Sequence, residues 1–114
     1  MTKRTIDIPI YCAKLTVIID NDLSYVEKKY KTQPINNFGA VAFRVENKYS
    51  HYVVAFEYIS NSIIAHELTH IKNYIYEDRK INLDTNNDEP EAYLMGWLVE
   101  SVDKIVAIHK SAIA

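Results

Sequence analysis

His66-Glu67-Leu68-Thr69-His70 is the stretch of this chain whose residue types and spacing name a chemistry. On an α-helix, residues four apart lie one turn above each other, so both imidazoles share a face and can grip one metal ion. A carboxylate directly after the first imidazole sits beside that face, where it can take a proton from a water on the ion. The spacing therefore points to zinc, with His66 and His70 as ligands and Glu67 as the catalytic carboxylate.

A catalytic zinc normally takes three protein ligands and leaves the fourth position to water, so one more ligand is required. His51 falls in a strand-like segment, and His109 lies about 30 Å of helix beyond Glu89 at a ~1.5 Å rise per residue, too far to share a site entered at that helix's start. Cys12, the single cysteine, could be a buried apolar residue or an extra metal-site ligand, and burial is the expectation. The acidic pair in Asp88-Glu89-Pro90-Glu91-Ala92-Tyr93 is the better source. Glu89 shares a stripe with Ala92 and Gly96, and small residues allow two helices to approach closely. Glu91, three residues after Asp88, has the spacing of a capping residue that folds back on the helix start. The stripe favours Glu89 as the third ligand, with Glu91 as the alternative.

The elements that must hold these groups can be read from periodicity. Ile6, Ile8 and Ile10, then Leu15, Val17 and Ile19, recur at a period of two, giving strand that is broken or bent near Pro9. Asp22 can cap a short helix in which Leu23, Val26 and Tyr30 share a face, ending before Gln33-Pro34. Beyond Asn36-Asn37-Phe38-Gly39, Val41, Phe43 and Val45 alternate with polar or small residues, and Tyr52, Val54, Phe56 and Tyr58 do so after a turn at 46–48. These two runs read as an antiparallel hairpin. Ser60-Asn61-Ser62 can cap a helix carrying Ile63, Ile64, Leu68, Ile71 and Ile75 to about Arg79, and the histidine pentad lies inside it. After a polar linker at 82–87, Leu94, Leu98, Val102, Ile105 and Val106 trace a long amphipathic helix from Asp88 to about Ala112. The expectation is one α+β domain over residues 1–114: a small antiparallel, meander-like sheet, one face of which is covered by the pentad helix and the C-terminal helix.

The pentad followed by Glu89-Pro90-Glu91-Ala92 resembles the gluzincin zinc peptidases, whose His-Glu-x-x-His helix precedes a helix bearing a ligand glutamate as Glu-x-x-Ala. The likeness covers roughly residues 39 to 100, and the segment from Asp88 to Trp97 is similar to one in small phage-encoded peptidases. Many members carry an aspartate four residues after the ligand glutamate, where this chain has Tyr93. The resemblance implies a zincin-like metallopeptidase with one zinc per chain, held by His66, His70 and Glu89. It also implies hydrolysis of peptide bonds by water that Glu67 activates. On this reading the strand from Tyr49 to Tyr58 offers its backbone to an extended peptide, and one of the nine tyrosines steadies the oxyanion, with Tyr74 and Tyr93 nearest by spacing. The alternative is a zinc-stabilised binding or regulatory module with a degenerate peptidase fold. A third reading treats the pentad as a coincidence of surface residues.

Composition narrows the partners. With 114 residues, 48% hydrophobic and 25% charged, the chain has the composition of an ordinary globular domain. A net charge of -2 lacks the clustered excess of Lys and Arg that neutralises phosphates, so nucleic acid is not an expected partner. No run approaches membrane-spanning length, and the N-terminal segment lacks the continuous apolar core of a signal peptide. A cytoplasmic protein acting on peptide or protein substrates is the expectation.

Overall fold

The computed structural model describes residues 1–35 and 39–113. Its elements run β1 (Thr2–Ile8), β2 (Ala13–Ile19), α1 (Ser24–Tyr30), β3 (Ala40–Arg44), β4 (His51–Phe56), α2 (Asn61–Asp78) and α3 (Glu89–Ile113). This is an α+β fold. The Asn36-Asn37-Phe38 part of the expected turn before β3 lies outside the described residues. Among those described, no helix is long and apolar enough to cross a membrane.

The first apolar stretch folds as a hairpin, β1 pairing antiparallel with β2 from Thr2↔Ile19 to Ile8↔Ala13. Its turn follows Pro9, as expected, and holds Ile10 and Cys12 at positive φ, 74° and 50°. Cys12 is exposed there rather than buried, because the turn lifts it away from the sheet and the core.

The strand order is β1-β2-β4-β3, with β4 antiparallel to β3 but parallel to β2. The expected all-antiparallel meander is therefore corrected to a mixed sheet. Helix α1 packs Val26, together with Leu23 just before the helix, on one sheet face, against Ile18, Val53 and Ala55. Helices α2 and α3 cover the other, against Leu15, Val17, Ile19, Tyr52, Val54 and Phe56. The helices thus take both faces, not one. Strands buried on both sides need near-continuous apolar sequence instead of alternation. Val17-Ile18-Ile19 and Tyr52-Val53-Val54-Ala55-Phe56 supply it, and all eight residues are buried.

Helix α2 begins where Ser60, in extended backbone, accepts a hydrogen bond from the Ile63 amide at 3.2 Å. Its apolar stripe of Ile64, Leu68, Ile71 and Ile75 is buried on the sheet. Its far end is fastened by Arg79, whose guanidinium donates to the carbonyls of Tyr11 and Cys12, the Ser50 hydroxyl at 2.6 Å and the Tyr49 phenol at 2.6 Å. One side chain so ties the helix to the β1–β2 turn and to the start of β4.

Helix α3 buries Leu94, Leu98, Val102, Ile105 and Val106. Three residues before Leu94, Glu91 turns inward with that stripe and accepts a hydrogen bond from the Lys72 ammonium at 2.6 Å. Lys72 is only 6% exposed, so this ion pair clamps α3 to α2 in a largely dry contact. Removing one partner of a buried pair strands the other charge. Glu91→Ala is accordingly expected to lower unfolding stability by about 3 kcal/mol, and Lys72→Met combined with Glu91→Leu to restore most of it. Urea titration of the three proteins measures both changes.

Candidate metal centre

The pentad occupies the middle of α2, and its residues divide by face. Leu68 goes into the core, while His66 and His70 stand on the exposed flank toward β3. Their Nε2 atoms are 3.3 Å apart and their ring centroids 4.9 Å. Two imidazole nitrogens, each 2.0–2.1 Å from a tetrahedral ion, are separated by about 3.3 Å. The rings therefore already hold the spacing such an ion requires.

Glu67 lies between core and cleft. Its side chain is 9% exposed, with Oε1 3.8 Å from His66 Nε2, and Oε2 is buried with no hydrogen-bond partner. An unpartnered buried carboxylate oxygen is expensive, so this atom at the cleft border calls for an explanation. Burial raises the Glu67 carboxyl above the ordinary carboxylate range, and the two adjacent imidazoles pull it partly back. Ligand atoms of His66, Glu67 and His70 all lie within 4.8 Å of one another, a group that could hold a metal ion.

Glu89 does not join them. Among the described residues it is absent from that group; it is exposed and lines a separate groove of about 950 Å³ with Tyr11, Tyr93 and Trp97. The stripe of Glu89, Ala92 and Gly96 faces outward, with nothing within 4 Å of a Cβ placed on Gly96. The structure therefore does not bring Glu89 to the paired imidazoles, because α3 packs through its larger apolar residues and not through its small ones. Glu91 is engaged by Lys72 instead. His51 and His109 also stay away, hydrogen bonding the Tyr49 carbonyl at 2.8 Å and the Thr2 hydroxyl at 2.7 Å. Of the two tyrosines nearest by spacing, Tyr74 lies in the cleft, whereas Tyr93 is 74% exposed beside the other groove.

The histidine cleft has a volume of about 540 Å³, and its opposite wall is β3, from Ala40 to Ala42. This strand is a sheet edge; β4, expected to offer its backbone, is enclosed between β2 and β3. Val45 N donates to His51 O and Glu57 N to Gly39 O. By antiparallel alternation, Val41 and Phe43 turn their main-chain groups toward β4, and Ala40 and Ala42 turn theirs toward the cleft. Tyr74 agrees with that register, its hydroxyl donating to the Ala42 carbonyl at 3.3 Å. The sequence showed β3 as a strand but carried no signal that it, and not β4, would be the open edge.

No family model, no curated protein and no solved structure matches this chain.

Gly39 sets the start of the edge strand. It has φ +72°, its carbonyl accepts from both Glu57 N and Tyr58 N, and an added Cβ would come within 2.9 Å of the Tyr58 ring. Gly39→Ala is expected to lower stability by about 1–2 kcal/mol through left-handed backbone strain, with further loss if the ring cannot yield. Thermal unfolding followed by circular dichroism measures it.

Proposed function

We propose that this chain is a zinc-dependent metallopeptidase, with His66 and His70 holding the metal and Glu67 as general base. The observation that carries the reading is the pair of imidazole nitrogens 3.3 Å apart beside a buried, unpartnered carboxylate oxygen. Zinc fits this donor set: imidazole is among its preferred ligands, and structures of this kind leave positions open for water and substrate. When bound, the ion supplies Lewis acidity, which makes water a nucleophile near neutral pH and polarises a carbonyl.

The chain's own groups supply the remainder. The edge of β3 can pair with an extended peptide through the N–H and C=O of Ala40 and the N–H of Ala42. Because Ala40 and Ala42 are small and flank the helix side of the cleft, the peptide backbone can lie close to the imidazoles. Glu67 takes the proton of the attacking water and returns it to the departing amine. Its desolvated position raises its basicity and shields the transferred proton from bulk water.

A second reading keeps the metal and drops the hydrolysis. It is favoured by the placement of Glu89, since two imidazoles with no third ligand from another element among the described residues form a weaker site than a usual catalytic one. That reading describes a zinc-stabilised regulatory or binding module.

Zinc content per chain, measured on untagged protein, is expected to be about one, to disappear in His66→Ala and His70→Ala, and to stay unchanged in Glu89→Ala. Full loss of zinc in Glu89→Ala would instead restore it as a ligand. Glu67→Gln is expected to keep the metal and to reduce kcat/KM for cleavage of a fluorogenic peptide pool by about 10²–10⁴-fold. Zinc-loaded protein that cleaves no member of the pool would favour the regulatory module.

A further inference from the structure

We propose that Tyr74 and Arg44 form a packed stack that fixes the orientation of the His70 ring, making Tyr74 a positioning residue for the metal centre. The proposal rests on the metal-site reading above, and it adds a role for two residues outside the pentad.

Tyr74 follows His70 by one helical turn, and the two rings are neighbours, their planes tilted by 24° and their centroids 6.5 Å apart. Over the Tyr74 ring sits the Arg44 guanidinium, 4.5 Å from its centroid, a favourable cation–π arrangement. Arg44 is itself held, donating through Nε to both oxygens of Asp78 at 3.1 and 3.2 Å and through Nη2 to Glu77 at 2.7 Å. The buried Tyr52 ring also stacks with Tyr74 at 6.2 Å and 10°, and its hydroxyl donates to Asp78 at 2.6 Å. Tyr74 is thus restrained by a cation, by a second ring, and by its own hydrogen bond to the edge strand.

His70 needs such support from packing. Metal-binding imidazoles usually gain their orientation by donating the second ring N–H to a carboxylate or carbonyl. The hydrogen-bond contact His70 makes here is to His66 Nε2, the face that meets the metal, so the ring plane is set by what it lies against. His66 meets it edge-on at 79°, and the Tyr74 ring lies next to it one turn along the helix. The stack keeps His70 Nε2 directed at His66 before any ion arrives. This reduces the rotational freedom lost on binding.

The test separates ring from hydroxyl. Zinc affinity, measured by competition with a chromophoric chelator, is expected to fall about 10–100-fold in Tyr74→Ala and Tyr74→Leu, and to stay within about threefold of the parent in Tyr74→Phe. Tyr74→Leu retains most of the volume, which guards against a variant that merely unfolds. Equal affinity in the parent and both ring-less variants overturns the proposal. A parallel readout uses the metal-free protein: ¹³C relaxation of the His70 imidazole should show added mobility in Tyr74→Leu, with His51 unchanged as a reference. If the parent binds no zinc, the metal-site reading fails, and unchanged His70 relaxation in Tyr74→Leu overturns the positioning claim by itself.

Discussion

Burial of one apolar stripe of α2 against the sheet is the constraint from which the rest follows. Ile64, Leu68, Ile71 and Ile75 must face the strands, because together they remove large aliphatic side chains from water. Once they do, helical geometry leaves no freedom for the neighbours. Positions 66 and 70 stand on the flank toward β3, and position 67 is trapped at the border between core and cleft. The layout of the site is a by-product of packing: the same rotation that buries the leucine and the glutamate of the pentad exposes its histidines.

Because the helix axis is fixed at both ends, that rotation is fixed too. Ser60 caps the start, and Arg79 binds the β1–β2 turn and β4 at the finish. Between them, the Arg44–Asp78–Tyr52 network ties the helix to the two strands nearest the cleft. Asp78 feels competing influences. Burial alone would raise its carboxyl, but hydrogen bonds from Arg44 and Tyr52 carry it below the usual carboxylate range. A carboxyl depressed by folding stabilises the fold above its unfolded pKa, and that contribution is lost as pH falls through its lowered folded value. Acid therefore loosens the network behind Tyr74.

Much of the fold was legible in the sequence. The cap at Ser60, the aliphatic period of α2 and the Leu94–Val106 stripe of α3 each report a local rule, and each element formed where that rule placed it. What could not be read was long-range. Alternation in Leu15–Ile19 and Tyr52–Tyr58 suggested strands with one wet face, yet the uninterrupted Val17-Ile18-Ile19 and Val53-Val54-Ala55 runs signalled burial on both sides, while the parallel pairing of β2 with β4 left no local mark. Glu89 was assigned from a stripe of small residues, but larger apolar side chains won the contact, and Glu91 went inward with them to meet Lys72. The pentad's own geometry depends on i to i+4 spacing alone, and it was recovered; the wall opposite depends on strand order and was not.

X-ray absorption at the zinc edge, on protein loaded with one equivalent, reads the ligand atoms around the ion. A four-coordinate shell containing two imidazoles at about 2.0–2.1 Å is expected. A shell of oxygen atoms with no imidazole scattering would contradict the metal-site reading.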